Sequence, residues 1–235
     1  MQEHLSWIYF LGIPFFQQYP HIAEALLVFL LLIICVFIVR REMARRQSVI
    51  PSHKMSFLNL AEVYVSFIRK FCFDTVGPNG EKYVSLAGTL FLFILFCNLL
   101  GIIPGFTSPT DNLNLTLALG IFTFLYYNIQ GIREHGFGYI KQFLGPTSSK
   151  IFIPIIPLML VIELVSHVVR PMSLGLRLRG NIYGDHAVHS VFSSLIPYIV
   201  PVAFLCLGIF VAFIQAFVFT LLTLVYISLA ESHDH

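Results

Sequence analysis

The sequence predicts an all-α polytopic membrane protein with about five membrane-embedded helices, the last two long and steeply tilted, and one interfacial amphipathic helix. Three observations predict this class. Of the 235 residues, 57% are hydrophobic and only 11% are charged, whereas soluble domains carry about 25% charged residues. Several apolar stretches have the length of a membrane span, and the Lys and Arg residues cluster between them. This composition disfavours a soluble enzyme or a nucleic-acid-binding protein, and the chain is interpreted as one integral membrane domain over 1–235.

Three apolar stretches have the length of a single span, because a hydrocarbon core of about 30 Å requires about 20 helical residues. These predicted spans are residues 22–39, 84–103 and 113–130. A basic run closes the first, a Pro-Gly turn signal closes the second, and Gly131 with Arg133 closes the third. No basic residue precedes the first span, so we interpret it as a retained helix and not as a secretory signal.

Between the first two spans, residues 56–76 carry an apolar stripe at three- and four-residue steps. Its members are Phe57, Leu60, Ala61, Tyr64, Val65, Ile68, Phe71 and Cys72. The charged Glu62, Arg69 and Lys70 lie off this stripe. Such a pattern predicts an interfacial amphipathic helix, although a buried core helix has the same periodicity.

The last part of the chain contains two stretches that are too long for upright spans. Residues 151–182 stay helical in pattern for about 48 Å, and Pro154, Pro157 and Pro171 offer places to bend. Residues 187–230 are again apolar. We favour one long slanted helix there; the alternative is a hairpin with Pro197 and Pro201 at its corner.

The distribution of basic residues orients the chain. No Lys or Arg precedes Arg40, eight fall between Arg40 and Lys82, and three lie between Arg133 and Lys150. Because cytoplasmic loops carry the excess of Lys and Arg, the amino terminus is predicted outside and the carboxyl terminus in the cytoplasm. The four cysteines show no CxxC spacing, and we interpret them as apolar packing residues.

Ionisable residues recur on one face of the long helix at 151–182 and just beyond it. Counted at 100° per residue, they lie within about 40° of Glu163. The stripe comprises Glu163, His167, Arg170, Arg177, Asn181 and Asp185, whereas Arg179 points to the opposite side.

Two interpretations stay open for parts of this stripe. Glu163 and His167 form either a self-neutralising i,i+4 pair or part of a water-lined proton path. Arg170 either reaches toward a lipid headgroup or takes part in a functional site with the other residues of the stripe. Arg177 lies among Leu and Gly residues and stays protonated near neutral pH, so it requires an anionic partner.

These residues carry a resemblance to a known family. The segment Arg170-Pro-Met-Ser-Leu-Gly-Leu-Arg177-Leu-Arg-Gly-Asn181 resembles the signature of the a subunit of F-type ATP synthases. Two other regions are similar to the same family, Asn98–Gly105 with Pro109-Thr110 and Leu113-Asn114, and the final helix with Gln215-Ala-Phe and Tyr226. The similarity in length and hydrophobic pattern extends along nearly the whole chain.

The resemblance implies a proton-conducting stator subunit in a bacterial inner membrane, with no cofactor or metal and with ATP chemistry in other subunits. Its implied partners are a rotating ring of c subunits, the peripheral-stalk b subunits, membrane lipid and protons. Arg177 would be the essential arginine facing the ring carboxylates, between two offset half-channels. The implied proton-pathway residues are Asn181, Gln215, Glu163, Asp185, His186, Ser173, Tyr226 and His167.

The sequence departs from the family pattern at two points. Many relatives pair an acid with a histidine at the positions occupied here by His186 and Gly208, so one partner is missing. Asp185 is expected to supply the acidic group; a metal site formed by Asp185, His186 and His189 is a less favoured alternative. Arg179 occupies a position that is commonly apolar.

Three other classes of function fit the sequence less well. A self-contained ion transporter or channel with a mid-membrane Arg predicts internal repeats, and no repeat is visible in the sequence. An intramembrane enzyme would need a motif such as His-Glu-x-x-His, which the sequence lacks. A purely structural stator protein would not need Glu163, Arg177 and Asn181 on one face.

Overall fold

The structure is a computed structural model, and the part of the chain that it describes is helical without any strand. The described residues are 19–45, 56–103, 105–136, 156–195 and 199–231, without the side chains of 156, 159, 164, 181 and 185–201. Within these ranges the all-α prediction is confirmed.

Six α-helices follow one another along the described ranges. They are α1 Pro20–Arg45, α2 Phe57–Val76, α3 Val84–Leu100, α4 Leu113–His135, α5 Ile156–Leu195 and α6 Ile199–Glu231. Short 3-10 helices at Pro78–Tyr83 and Pro109–Asp111 precede α3 and α4. Stretches long and apolar enough to cross a membrane occur in α1, α3, α4 and α6. The chain is therefore an integral membrane protein with several spans.

The second span ends earlier than its apolar sequence predicts. α3 stops at Leu100, before the expected end at residue 103. The chain turns here because Gly101 lies against the returning segment of the loop: a Cβ atom at Gly101 would lie 2.6 Å from Cβ of Ser108. Only glycine permits this approach.

The third span extends five residues past its predicted end. Gly131 is buried inside α4 and does not stop it. The helix ends at Gly136, whose φ of 55° is a conformation that glycine adopts readily, and whose amide donates to the carbonyl of Ile132.

The helix α2 packs on α3 and α6 with fewer residues than its apolar stripe predicts. Its buried side chains are Leu58, Ile68 and Cys72, and Phe71 packs against Phe217 of α6 with ring centroids 4.9 Å apart. Of the predicted stripe, Phe57, Leu60 and Val65 are exposed. The helix therefore contacts the bundle along a narrow seam and leaves apolar side chains uncovered; its position at the membrane interface stays a prediction.

The structure corrects the predicted boundary between the last two helices. α5 continues without interruption through residues 183–186 and ends at Leu195. Gly184 costs a helix about 1 kcal/mol but does not terminate it. Pro197 does favour an end, because proline disfavours helical geometry at the residue before it. The described helices are therefore Ile156–Leu195 and Ile199–Glu231 and not one slanted helix over 187–230; Pro201, one of the two predicted corner residues, lies in the first turn of α6.

The helices α3 and α6 are antiparallel, and two contacts mark the two ends of the bundle. Tyr83, just before α3, donates a hydrogen bond to Glu231 at the end of α6. Asn98 in the last turn of α3 donates to the carbonyl of Ala212 at 3.5 Å. We call the end formed by residues 101–103 and 105–112 the turn end, and the end with Tyr83 and Glu231 the opposite end.

The helices α4 and α5 cross at very short range because small residues lie between them. A Cβ atom at Gly120 would lie 2.5 Å from the carbonyl oxygen of Pro171, and one at Gly175 would lie 3.0 Å from that of Thr116. Backbones can approach this closely only where a side chain is absent. This crossing fixes the position of the segment that carries Arg177.

Candidate functional site

Glu163, His167 and Arg170 form a charged cluster on α5. Oε1 of Glu163 lies 3.4 Å from Nη2 of Arg170 and 3.6 Å from Nδ1 of His167. Nη1 of Arg170 lies 3.4 Å from the same Nδ1. The predicted contact between Glu163 and His167 is therefore present, and Arg170 contacts the same carboxylate.

Aromatic residues from two other helices enclose this cluster. The Cζ atom of Arg170 lies 5.5 Å from the ring centroid of Tyr226 on α6, a favourable cation–π arrangement. The His167 ring meets Tyr127 and Phe124 of α4 edge-on, at centroid distances of 5.9 and 6.1 Å. We call Glu163, His167, Arg170, Tyr127 and Tyr226 the α5 polar cluster.

Ser173 and Tyr226 occupy defined places beside this cluster. Ser173 Oγ donates to the carbonyl of Arg170 at 2.9 Å, so its hydroxyl is engaged within its own helix. Tyr226 brings α6 to the charged stripe, on the helix face that it shares with Gly208 and Gln215 at multiples of about 3.6 residues. Gly208 and Gln215 are buried on that face.

Arg177 has surroundings unlike those of Arg170. Its side chain is exposed, while Leu174 and Leu178 on either side are buried. The uncovered surface beside it is apolar and includes Met172 and Leu176. Among the described side chains, no carboxylate forms an ion pair with Arg177. A fixed cation therefore lies at the edge of a bare apolar helix face, without a carboxylate partner among the described side chains.

Arg179 is exposed as well, on the other edge of that face. A separation of two residues places it about 160° around the helix from Arg177. Within the described part of the chain it makes no ion pair either. The two arginines therefore project from the same helix toward different surroundings.

A second polar network lies at the turn end. Thr110 Oγ1 donates to Oδ1 of Asn98 at 2.7 Å and lies 2.7 Å from Oγ of Ser108. Ser108 Oγ also contacts the carbonyl of Cys97 at 3.0 Å. Asn98 then reaches the backbone of α6 at Ala212, one turn before the buried Gln215. This network connects the loop to the half of α6 that carries Gln215.

Several predicted site residues lie outside the described side chains. These are Asn181, Asp185 and His186, together with His189; only their positions on the backbone of α5 are described. Their roles stay predictions.

Sequence reasoning did not single out Tyr127, Phe124 or Glu24. The two aromatic residues lie in a span rich in Phe and Tyr, where nothing in the pattern distinguishes a ring that contacts His167 from one that packs in the core. Glu24 did offer a signal, because a carboxylate in an otherwise apolar span is costly unless it is bonded or functional.

Comparison with known proteins gives one consistent result. The family model described as ATP synthase A chain matches residues 23–228. ATP synthase subunit a of Bdellovibrio bacteriovorus is 47% identical over 80% of this chain and 80% of its own length. ATP synthase subunit a 1 of Syntrophotalea carbinolica is 42% identical over 92% of this chain and 87% of its own length. ATP synthase subunit a of Geobacter sulfurreducens is 41% identical over 90% of each.

Proposed function

From the premise that the chain belongs to the ATP synthase subunit a family, we propose that it is the stator subunit that conducts protons to and from a rotating ring of c subunits. As a family member it is a multi-pass membrane component of an ATP synthase and takes part in proton transport and ATP synthesis. The proposal adds two offset aqueous half-channels, with ATP chemistry in other subunits.

The exposed position of Arg177 is the observation that carries this proposal. A ring carboxylate in lipid is neutral, because a charge at the bilayer centre costs about 2.5–3.5 kcal/mol or more. When it arrives within about 4 to 6 Å of a guanidinium, the ionised form becomes favourable and the proton leaves. An arginine at the uncovered edge of α5 is placed to meet such a moving partner. Because it keeps its own proton, it also obstructs direct proton leakage between the half-channels.

We assign the half-channel at the turn end to Asn181, Gln215, Asp185 and His186. Neutral amides such as Gln215 hydrogen-bond water without retaining a proton. The buried network of Asn98 and Thr110 reaches the same half of α6, which supports a polar route there. Asp185 is proposed to replace the acid that the family pattern places opposite His186.

We assign the other half-channel to Glu163, His167, Ser173 and Tyr226. Glu163 is half-buried and contacts Arg170 and His167, so an ionisable group that keeps partial exposure lies on this side of Arg177.

Orientation and partners follow from charge and from the family. We propose a bacterial inner membrane with the turn end outside and the carboxyl terminus in the cytoplasm, since the basic residues between α1 and α3 favour the cytoplasmic side. The proposed partners are the c-ring, which meets α5 and α6, and the peripheral-stalk b subunits.

The test compares two exposed arginines on one helix, with Arg179→Ala as the matched control for Arg177→Ala. An opposite-charge pair at about 4 Å contributes roughly 4 kcal/mol near a protein surface, which corresponds to more than about a hundredfold in rate. We expect Arg177→Ala to reduce gradient-driven ATP synthesis by at least this factor, and Arg179→Ala to retain it within about twofold.

Synthesis is measured in vesicles that contain the whole ATP synthase, per amount of a subunit retained in the membrane. Normal coupled synthesis by the Arg177→Ala enzyme would contradict the proposed function. Equal losses in both variants would assign the effect to charge on α5 in general and would contradict the special role of Arg177.

A further inference from the structure

One carboxylate of α1 is completely buried near the turn end of the bundle. Glu24 lies in the second turn of α1 and has 0% exposed surface. A carboxyl group is removed from water only at a cost unless hydrogen bonds compensate. Glu24 belongs neither to the charged stripe of α5 nor to the motifs that carry the family resemblance. We therefore infer the role of Glu24 from its contacts.

Thr107, in the loop before α4, donates two hydrogen bonds to Glu24. The backbone amide donates to Oε1 at 3.0 Å, and Oγ1 donates to Oε2 at 2.6 Å. Because the bonds use both carboxylate oxygens, they fix the orientation of Thr107 as well as its position. The first span thus anchors the loop at one residue.

The next residues of that loop belong to the network that meets α3. Ser108 follows Thr107 directly and contacts the carbonyl of Cys97 and the hydroxyl of Thr110. Thr110 is fully buried and donates to Asn98. The position of Thr107 consequently sets the position of the donor to the Asn98 side chain.

This series of polar contacts ends on α6, the helix that carries Gln215. Asn98 donates to the carbonyl of Ala212, three residues before Gln215. Both Asn98 and Gln215 are buried, at 6% and 2% exposure. A chain of polar contacts therefore runs from α1 through the loop and α3 to the part of α6 assigned to a half-channel.

We propose that Glu24 is a positioning residue for the half-channel at the turn end, an inference that rests on the proposed function. Its carboxylate holds Thr107, and through Thr107 it holds Thr110 and Asn98 in the orientation that faces α6. Glu24 itself does not carry the transported proton. Without the anchor, the loop loses its fixed attachment to the first span, and the polar lining beside Gln215 loses its fixed geometry.

The experiment uses whole ATP synthase in liposomes and varies the pH on the turn-end side alone. Glu24→Ala should reduce the maximal rate of ATP synthesis per assembled complex by about three- to tenfold, the range expected for one or two lost hydrogen bonds. The pH midpoint of the rate should stay unchanged, because a positioning residue does not titrate in the transport cycle. Glu24→Gln should fall between Glu24→Ala and the unmodified enzyme, since one amide oxygen still accepts.

Thr107→Val tests whether Glu24 acts through Thr107. The combined variant Glu24→Ala with Thr107→Val should be no slower than Glu24→Ala alone, because the hydroxyl already lacks its acceptor. Glu62→Gln is the matched control, an identical change at an exposed carboxylate of α2, and it should leave the rate unchanged. If Glu24→Ala does not assemble, Glu24→Gln and Thr107→Val provide the same comparison.

Three outcomes would overturn the positioning role. They are an unchanged rate per complex in the Glu24 and Thr107 variants, additive losses in the combined variant, or a displaced pH midpoint, which would make Glu24 a proton carrier. Arg177→Ala in the same liposomes separates this failure from that of the proposed function. Retained synthesis in Arg177→Ala contradicts the proton-conducting role, whereas its loss beside normal Glu24 variants contradicts only the positioning role.

Discussion

Arg170 and Arg177 lie two turns apart on one helix and have opposite surroundings. Arg170 is largely buried, contacts Glu163 at 3.4 Å and lies over the ring of Tyr226. Arg177 is exposed beside apolar side chains such as Leu176, with no carboxylate partner among the described residues. The first arginine has an anionic partner within the chain, and the second has none among the described side chains.

This difference indicates what each arginine contributes. A cation paired within its own chain stabilises the fold, and its removal leaves a carboxylate without compensation. A cation without an internal partner adds nothing comparable to the isolated subunit, so its charge is useful only when an external anion arrives. In our proposal, this pairing pattern distinguishes an arginine that stabilises the fold from one that acts in proton transfer.

Replacing each arginine by lysine should give the largest contrast. Lysine keeps a positive charge but loses the planar fork, and it can release its proton when desolvated. We expect Arg177→Lys to lower coupled synthesis by about tenfold or more and to raise passive proton leakage, whereas Arg170→Lys stays within about threefold because a point charge still pairs with Glu163.

The measurements for this pair are ATP synthesis and passive proton flux in vesicles. The proton flux is measured after removal of the subunits that carry out the ATP chemistry. Wild-type synthesis by the Arg177→Lys enzyme would show that positive charge alone suffices at this position, and the proposed barrier to leakage would then be incorrect.

An intermediate effect is expected where the internal pairing is broken. Glu163→Gln leaves Arg170 without its anion in a half-buried site, which should destabilise the complex by about 1–2 kcal/mol. Combining it with Arg170→Gln should recover most of that loss, because no charge is left unpaired. The readout is the fraction of intact detergent-solubilised complex after heating. Equal stability of Glu163→Gln and the unmodified protein would mean that the α5 polar cluster is not a stabilising pair.

A loss of stability of similar size is expected at the crossing that supports both arginines. A methyl group at Gly120 would lie 2.5 Å from the carbonyl of Pro171, and such overpacking costs about 1–3 kcal/mol. Gly120→Ala should therefore lower the thermal stability of the complex and reduce synthesis moderately. Gly184→Ala is the matched control on α5, where an added Cβ meets nothing within 4 Å. If both variants behave alike, the close crossing of α4 and α5 does not hold the arginine segment.

Much of the bundle was predictable from local sequence because a span needs only length and apolarity. The first three spans, the amphipathic character of α2 and the polar stripe of α5 all follow from periodicity within a single helix. The boundary after residue 182 was misplaced because Gly184 weakens a helix without ending it, whereas Pro197 enforces a conformational limit on its neighbour.

The contacts of the candidate site were less predictable. Glu163 and His167 share a helix, so their proximity is a matter of spacing. The rings of Tyr127 and Tyr226, and the bonds from Thr107 to Glu24, join residues that are far apart in the chain. The spacing of residues within one helix does not encode which helices contact each other, or where along their length they do so.

The sequence alone determined that lipid surrounds this chain, which helices cross it, and that one helix carries several charges on one face, since hydrophobicity and helical geometry are properties of single segments. Only the tertiary structure decided that Arg170 is enclosed while Arg177 stays open. The reason is that burial depends on which surfaces of neighbouring helices fit together, and here the close approach at Gly120 and the aromatic residues of α4 and α6 cover one half of α5 and leave the other edge bare.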